Sequence, residues 1–315
     1  MTTTPTRPRP LLVIVGPTAS GKSALGAFLA QELGGEILVC DSAQVYRHFD
    51  VGTGKVSAEL RARVPHHLLD LCEPAEEFAA GDFQRCARAA LGEISARGRL
   101  PIITAGTGLY LRALLEGLSP LPPRSPELRA RLQAAAEEKG GEYLHRMLAR
   151  LDPASAREIA PRDVPKLVRA LEVCFVTRQP RTELFRAGRD PLEGYAVAKL
   201  GLAPERKLLY DHIEARVEEM LDAGWLEEVR RLRQRFPDSA KPFGFLGYRQ
   251  LTAHLRGELP LHDAIKQIKH ETRQYAKRQI TWFRKEPAVH WLPGFGDAPR
   301  LQGQALGRLE RLLVS

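Results

Sequence analysis

The sequence lacks the features of a secreted, disulfide-bonded or membrane protein. No apolar run approaches the ~20 residues of a membrane span. Prolines and arginines occupy residues 1–10, where a signal peptide would need an apolar segment. The cysteines include no C-x-x-C pair, which argues against a zinc site and a disulfide framework; they are Cys40, Cys72, Cys86 and Cys174. We therefore expect a cytoplasmic protein with reduced thiols and no membrane segment.

One motif is present just after the strand-like run Leu11 to Val15. It fits G-x-x-x-x-G-K-[ST], the phosphate-binding loop pattern, and consists of Gly16, Pro17, Thr18, Ala19, Ser20, Gly21, Lys22 and Ser23. The glycines let backbone N–H groups point at phosphate oxygens, at the positive end of the following helix. Lys22 adds a charge and Ser23 offers a hydroxyl to Mg²⁺. We predict a site for a phosphorylated ligand with Mg²⁺ as cofactor; a simple glycine turn is the alternative.

Strand and helix signals alternate along the chain as in a parallel sheet. Strands are predicted at Leu11–Val15, Glu36–Cys40, Leu100–Thr104 and Tyr195–Leu202, and helices at Lys22–Leu33, Phe83–Arg97, 205–233 and 261–285. Four prolines in residues 119–126 break this rhythm, and a helical, charged stretch follows. We therefore predict an α/β fold. A P-loop NTPase-like parallel sheet core flanked by helices is expected from residues 1–119 and 195–315, with a mainly helical insertion domain at 120–194.

The strand predicted at Leu100–Thr104 lacks the terminal acid that nucleotide-hydrolysing motors use to hold Mg²⁺. Asp41 is the nearest candidate, because it ends the strand predicted at Glu36–Cys40. Strand ends of an open parallel sheet lie over the ligand crevice, so Asp41 is expected to face the phosphate loop. We interpret Asp41 as a base toward a second substrate; a turn cap is the alternative.

The net charge of +9 raises the expectation of a polyanionic partner. Residues 266–285 contain seven Lys or Arg but a single acid, Glu271. At helical spacing one stripe is cationic and the opposite side is apolar; the stripe comprises Lys266, Lys269, Arg273, Lys277 and Arg284. One-sided charge without matching acids favours contact with nucleic-acid phosphates. A solvated surface helix is the alternative.

Eight ordered segments carry a resemblance to a known family. They are residues 16–23, 41–47, 50–55, 66–70, 106–111, 169–173, 247–249 and 272–279. Together they resemble bacterial tRNA dimethylallyltransferases, also called tRNA isopentenyltransferases, from about residue 11 to residue 292. The resemblance implies transfer of a dimethylallyl group from dimethylallyl diphosphate to N6 of the adenosine immediately 3′ of the anticodon. Its expected partners are dimethylallyl diphosphate and the tRNA anticodon stem-loop, and we expect a monomer.

The resemblance also implies roles for individual residues. Residues 16–23 would bind the diphosphate, Arg216 would contact it, and Ser23 would hold Mg²⁺. Asp41 would accept the proton of the adenine amine, and Thr107 would lie near the reacting centre; a helix N-cap is the alternative for Thr107. The adenine must be flipped out of its stacked loop to react. The pocket for it would be lined by Asp41, Ser42, Ala43 and Gln44.

Further tRNA contacts are expected from both parts of the chain. They are Arg129, Pro165, Lys166, Leu167, Val168 and Arg169 in the insertion, and Gly244, Gly247, Tyr248, Arg249, Lys269, Arg273 and Lys277 in the core. The sequence departs from the family pattern at Ala105, at 165–169 and at Gly244, where the family has Gly, Gln-Arg-x-x-Arg and Arg. His66 and His67 are assigned a structural role rather than metal binding, since no third ligand is spaced to join them.

Three other functions fit some of the same residues. A P-loop kinase of a small metabolite would use the phosphate loop and Asp41, with a lid of Arg178, Arg181, Arg186 and Arg189. A nucleic-acid-binding protein could use its nucleotide site as a conformational switch. A prenyltransferase acting on free adenine nucleotides would share the loop and the aspartate, but the basic helix after residue 266 argues against it.

Overall fold

The computed structural model describes residues 8–186 and 188–314, with side chains described through residue 309. The chain divides into two compact units, Met1–Leu114 with Glu193–Ser315 and Leu115–Leu192. The first unit is the core and the second is the insertion, for which the sequence predicted residues 120–194. Within the described ranges no helix is both long enough and apolar enough to cross a membrane.

The core contains a six-stranded sheet in the order β3-β2-β4-β1-β5-β6, with every pair parallel. The strands are β1 Arg9–Val15, β2 Gly35–Cys40, β3 His66–His67, β4 Leu100–Ala105, β5 Tyr195–Leu202 and β6 Val289–Leu292. The central strands are apolar on both faces, as in a sheet covered by helices on both sides. The predicted α/β parallel core is confirmed. The sequence did not indicate β3 and β6, which are only two and four residues long.

The helices follow the predicted alternation closely. The core has α1 Lys22–Leu33, α2 Ala58–Arg63, α3 Ala80–Ala96 and α4 Gly108–Leu115 before the insertion, and the insertion has α5 Pro126–Lys139, α6 Gly141–Leu151, α7 Pro153–Glu158, α8 Val164–Thr177 and α9 Arg181–Arg186. The core then continues with α10 Arg206–Asp222, α11 Trp225–Arg235, α12 Tyr248–Leu255, α13 Leu261–Phe283 and α14 Pro299–Val314. Short helices α2, α4 and α12 and the C-terminal α14 were not predicted.

The register of the sheet places three loops side by side. Val15 of β1 and Cys40 of β2 are both paired with Ala105 of β4. The residues that follow these strands, Gly16, Asp41 and Gly106, are therefore neighbours at the carboxyl edge of the sheet. In an open α/β fold, ligands bind at this edge. The phosphate loop, the segment beginning at Asp41 and the turn at 106–107 all start there.

The insertion has an apolar core of its own, formed by α5, α6, α7 and α8. Its buried polar groups are paired within the unit. Asp152 caps α7 by accepting from Ser155 N–H and also accepts from Thr182. Glu172 is fully buried and accepts from Ser125 N–H, Arg129 and Arg169. Arg129 and Arg169, which were predicted from the sequence to contact tRNA, thus both donate to the buried carboxylate of Glu172.

Candidate active site

The phosphate loop has the strand–turn–helix setting that its motif predicts. Gly21 precedes α1 with a φ of 83°, and a Cβ there would lie 2.7 Å from Gly296 N, so this close approach requires glycine. Gly296 N–H donates to Ser20 O at 2.9 Å, which braces the loop from the segment after β6. Inside the loop, Ser20 Oγ and Lys22 Nζ both donate to Pro17 O, at 2.8 and 2.6 Å. Ser23 is exposed at the first turn of α1.

Asp41 lies where the order of strands places it, beside the phosphate loop. Its Oδ1 accepts from the N–H groups of Ala43 and Gln44, at 2.8 and 3.3 Å. These two bonds hold the carboxylate in a turn. Oδ1 therefore acts as a turn cap, which is the alternative role considered for Asp41 from the sequence. The other oxygen, Oδ2, points toward Gly106, where a Cβ would lie 2.8 Å from it. Asp41 therefore keeps one carboxylate oxygen for a ligand.

Thr107 is connected to the Asp41 turn at two points. Its Oγ1 accepts from Ser42 N–H at 3.0 Å and donates to Ser42 Oγ at 3.3 Å. The N–H groups of Gly106 and Thr107 both donate to Cys40 O. Burial raises the pKa of the Cys40 thiol well above its ordinary value, so this cysteine is an inert packing group. Asp41, Ser42 and Thr107 consequently form one rigid hydrogen-bonded unit.

Two cations face the same space as Asp41. Burial, and to a smaller extent the nearby Arg216, lower the pKa of Lys22 to about 7 against the opposing effect of Asp41. Burial also lowers the pKa of Arg216, whereas Asp41 and Glu219 raise it; an arginine still remains charged. Cations whose charge is disfavoured by burial in a cleft are typical of functional sites, and these two would gain from a bound anion.

Two adjoining cavities open onto these residues. The first, of about 310 Å³, is polar and lies against loop residues 18–23. The second, of about 250 Å³, has an apolar and aromatic wall that includes Met220, Trp225 and Phe245. Both cavities are lined by Thr18, Ala19, Asp41, Thr53, Arg216 and Tyr275. The core thus joins a polar space against the loop to an apolar space at a carboxylate and an arginine.

Comparisons with known proteins agree with this geometry. The family described as IPP transferase matches residues 44–286, and the one described as Isopentenyl transferase matches residues 10–67. The chain is 50% identical over 305 residues to the tRNA dimethylallyltransferase of Solibacter usitatus, covering 96% of this chain and 99% of that protein. It is 48% identical to the enzyme of Koribacter versatilis, covering 94% and 96%.

Solved structures show the same likeness. The tRNA isopentenylpyrophosphate transferase of Bacillus halodurans has a TM-score of 0.69 at 36% identity, covering 96% of this chain and 97% of that one. A eukaryotic dimethylallyltransferase described as acting on tRNA has a TM-score of 0.79 at 25% identity, covering 96% and 78%. This chain belongs to the IPP transferase family. The resemblance in the sequence is confirmed, and the chain is a transferase.

The sequence did not reveal that Glu228 holds part of this IPP transferase site in place. Glu228 in α11 is buried, and its carboxylate accepts from the N–H groups of Asp50, Val51 and Gly52 and from the Tyr248 hydroxyl. These bonds hold residues 50–52, and Gln44 Nε2 donates to the next carbonyl, Thr53 O, at 3.1 Å. Glu228 follows Glu227 in a helix rich in charged residues, and nothing in that local sequence singles it out for such a role.

The residues of the insertion that were predicted to contact tRNA differ in their exposure and in their ion pairs. Leu167 and Val168 are buried in its apolar core, so their side chains are not exposed; the contact of residues 165–169 with tRNA stays a prediction. Arg129 and Arg169 are half-buried and paired with Glu172. Pro165 is the second residue of α8, and Lys166 is exposed and paired with Asp163. Lys166 is the more accessible cation of this set.

The predicted tRNA contacts around Gly247 also differ in burial: some are buried and others are exposed. Tyr248 is buried, its hydroxyl donates to Glu228, and its ring lines the apolar cavity, so it is not a surface contact. Gly247 N–H donates to Gln250 Oε1 at the start of α12. Gly244 ends a short 3₁₀ turn and is exposed. Arg249 is exposed and paired with Glu271.

The expectation that the α13 stripe has no matching acids is wrong. Lys269 is paired with Glu218 and Arg273 with Glu214, and both acids belong to α10. Helical periodicity within α13 could not reveal partners from another helix. Lys277 is exposed on the same helix, and within the described part of the chain no ion pair is shown for it.

The histidine pair lies at the edge of the sheet. His66 and His67 form β3, and His67 Nε2 lies 2.7 Å from Glu36 Oε2. Burial lowers the pKa of His66. Across residues 8–186 and 188–314, no three His, Cys, Asp or Glu side chains are grouped as a metal site.

Proposed function

We propose that this transferase moves a dimethylallyl group from dimethylallyl diphosphate to N6 of the adenosine immediately 3′ of the anticodon in tRNA. The observation that carries the proposal is the pair of adjoining cavities, which meet at Asp41 and Arg216. One suits a diphosphate and the other an apolar group.

The diphosphate is the leaving group, and the polar cavity supplies what it needs. An allylic diphosphate ionises readily because its cation is delocalised, so the enzyme mainly has to stabilise the departing anion. Lys22, Arg216 and the N–H groups at the start of α1 provide positive charge and donors. The half-buried Lys22 is strongly sensitive to an anion, because its own environment disfavours its charge.

Mg²⁺ fits the donors that surround this cavity. The Ser23 hydroxyl is exposed and lines the same space as the carboxylate of Asp41, and hydroxyl and carboxylate oxygens are hard ligands of the kind that Mg²⁺ prefers. Mg²⁺ usually keeps several waters and takes one or two protein groups plus phosphates, so a larger acidic cluster is not required. When bound through Ser23, the ion would neutralise charge on the diphosphate.

Asp41 is the base that we assign to the acceptor. The adenine amine is a poor nucleophile, because its lone pair is delocalised into the ring. Asp41 Oδ1 is held by two N–H groups, which leaves Oδ2 to take the amine proton as the N–C bond forms. Thr107 Oγ1 accepts from Ser42 N–H and so helps to hold the turn that carries Asp41. The flipped adenine would lie along residues 41–44.

The tRNA partner is proposed to bind through exposed cations. Lys166, Arg249 and Lys277 are the accessible members of the predicted set. We propose that the enzyme works as a monomer in the cytoplasm; the four cysteines are free thiols, as expected in a reducing compartment.

A second function has a specific observation in its favour. The Isopentenyl transferase match over residues 10–67 covers the loop and the aspartate, which a prenyltransferase of free adenine nucleotides would also need. The tRNA enzymes listed above are similar over 94% and 96% of this chain, including the insertion, and this favours tRNA.

One assay separates the candidates. The pure protein is incubated with Mg²⁺ and labelled dimethylallyl diphosphate, together with tRNA or with AMP; a parallel reaction contains labelled ATP and a panel of metabolites. We expect label in tRNA and little in AMP or metabolites. Label in AMP but not in tRNA would support the nucleotide enzyme, and phosphoryl transfer from ATP would support a kinase.

A further inference from the structure

Gln279 joins two halves of the site through one carboxamide. Its Oε1 accepts from Thr18 N–H at 2.7 Å, and its Nε2 donates to Gly106 O at 2.8 Å. The side chain is 6% exposed and comes from α13, which is distant in sequence from both partners. Thr18 belongs to the phosphate loop, and Gly106 belongs to the turn that contains Thr107.

The second partner is in turn connected to the base. Gly106 N–H donates to Cys40 O, directly before Asp41, and Asp41 Oδ2 points at the Gly106 backbone. A carboxamide is the only common side-chain group of this length that accepts at one end and donates at the other. Glutamate would lose the donor, and methionine would lose both groups while keeping similar length and volume.

We propose that Gln279 is a positioning residue that sets the distance between the loop holding the leaving diphosphate and the Asp41–Thr107 unit holding the acceptor. This inference rests on the proposed prenyl transfer and adds a residue to it. Thr18 N–H is used by Gln279, so the loop binds the diphosphate through its other groups. Removing the carboxamide therefore changes alignment more than affinity.

The test compares Gln279→Met and Gln279→Glu with the parent, using Gln267→Met and Gln267→Glu as controls. Gln267 is exposed on the same helix. For each protein we would measure thermal unfolding, the affinities for tRNA and dimethylallyl diphosphate, and the single-turnover transfer rate with both substrates saturating. A misplacement of about 1 Å can cost about 10²-fold in rate.

For folded Gln279→Met we expect both affinities within about three-fold of the parent, and a transfer rate about 10- to 100-fold lower. Gln279→Glu should also be slow at saturation, and the Gln267 variants should match the parent. A folded Gln279 variant that transfers at the parent's rate overturns the proposal. If neither Gln279 variant folds and binds tRNA, Gln279 is a folding residue and the proposal also fails.

Measuring the parent protein in the same assay distinguishes failure of the proposed function from failure of the positioning role alone. If the parent does not prenylate tRNA, the proposed function is wrong whatever the variants do. If the parent does and the Gln279 variants equal it, only the positioning role is wrong.

Discussion

The phosphate loop and the cationic stripe of α13 both carry positive charge, but their cations have different surroundings. Lys22 donates to a backbone carbonyl and shares a cleft with Arg216. Lys269 and Arg273 are each paired with a glutamate of α10. The Lys269 side chain is 23% exposed against 52% for Glu218, so the acid is the more accessible partner. A cation already neutralised by the protein gains less from an RNA phosphate.

The residues of α13 also differ in their surroundings, depending on the side of the helix on which they lie. Tyr275 and Gln279 face the active site, and burial raises the pKa of the Tyr275 hydroxyl, which stays protonated. Lys269 and Arg273 face α10, the helix that carries Arg216. We therefore interpret their ion pairs first as contacts between helices. Ordinary exposed pairs contribute about 0.2–1 kcal/mol, so the pairs tune this packing rather than determine it.

The largest effect is expected at the base. Asp41→Asn keeps the shape and the bonds from Ala43 and Gln44 but cannot accept a proton at neutral pH. Transfer should fall by about 10²- to 10⁴-fold, while tRNA and dimethylallyl diphosphate bind within a few-fold. Single-turnover rates with both substrates saturating isolate this step. Transfer within three-fold of the parent would show that Asp41 is not the base.

A smaller loss is expected at the phosphate loop. Lys22→Ala removes a charge-assisted contact worth ~1.5–3 kcal/mol, so binding of dimethylallyl diphosphate should weaken by about 10- to 150-fold. Lys207→Ala, an exposed lysine of α10, is the matched control. Thermal unfolding is measured alongside, because Lys22 is half-buried. Equal affinities in parent and variant would refute the assignment of Lys22.

The environment of Lys22 also predicts a proton linkage. With a pKa of about 7, Lys22 is mostly neutral at pH 8 in the free protein. A bound diphosphate favours the charged form and raises that pKa. Binding therefore takes up protons from about pH 7 up to the raised pKa, and the uptake falls away below pH 7, where Lys22 is increasingly charged before binding. Calorimetry at pH 8 in buffers of different ionisation enthalpy should show an uptake approaching one proton, which Lys22→Ala lacks. Equal uptake by the two proteins would contradict this account of Lys22.

The smallest effect separates exposed from paired cations. If Lys277 contacts a phosphate, Lys277→Ala should flatten the log–log salt dependence of tRNA affinity by ~0.7 to 0.9. Lys269→Ala and Arg273→Ala should flatten it less, because each cation already has a carboxylate. Equal slopes for all three variants and the parent would mean that this stripe does not contact tRNA.

The comparison also explains how far the sequence could predict the molecule. The strand–turn–helix setting of residues 16–23 was predicted correctly because the strand, the loop and the helix are contiguous in the sequence. Asp41 was placed correctly because strand order in a parallel sheet fixes which loops meet. The roles of Glu228 and Gln279 depend on partners far away in the chain. No local pattern specifies such pairings, and the acids opposite Lys269 and Arg273 were missed for the same reason.

Several residues predicted to contact tRNA are buried or paired in the structure, for a related reason. Leu167 and Val168 lie in a stretch that resembles a family motif, but motif position does not say which side of a helix faces the apolar core. Only packing of α8 against α5 and α6 decides that. The charge of Arg129 and Arg169 is visible in the sequence, but their shared partner Glu172 is not recognisable as buried until the insertion is folded.

The most direct test of the central claim is the position of the transferred group. An anticodon stem-loop of a tRNA is incubated with the enzyme, Mg²⁺ and labelled dimethylallyl diphosphate, digested, and analysed by mass spectrometry. We predict one dimethylallyl group on N6 of the adenosine immediately 3′ of the anticodon, and none when guanosine, which lacks that amine, replaces it. Label at another nucleotide, or unchanged labelling of the guanosine-substituted RNA, would contradict the account.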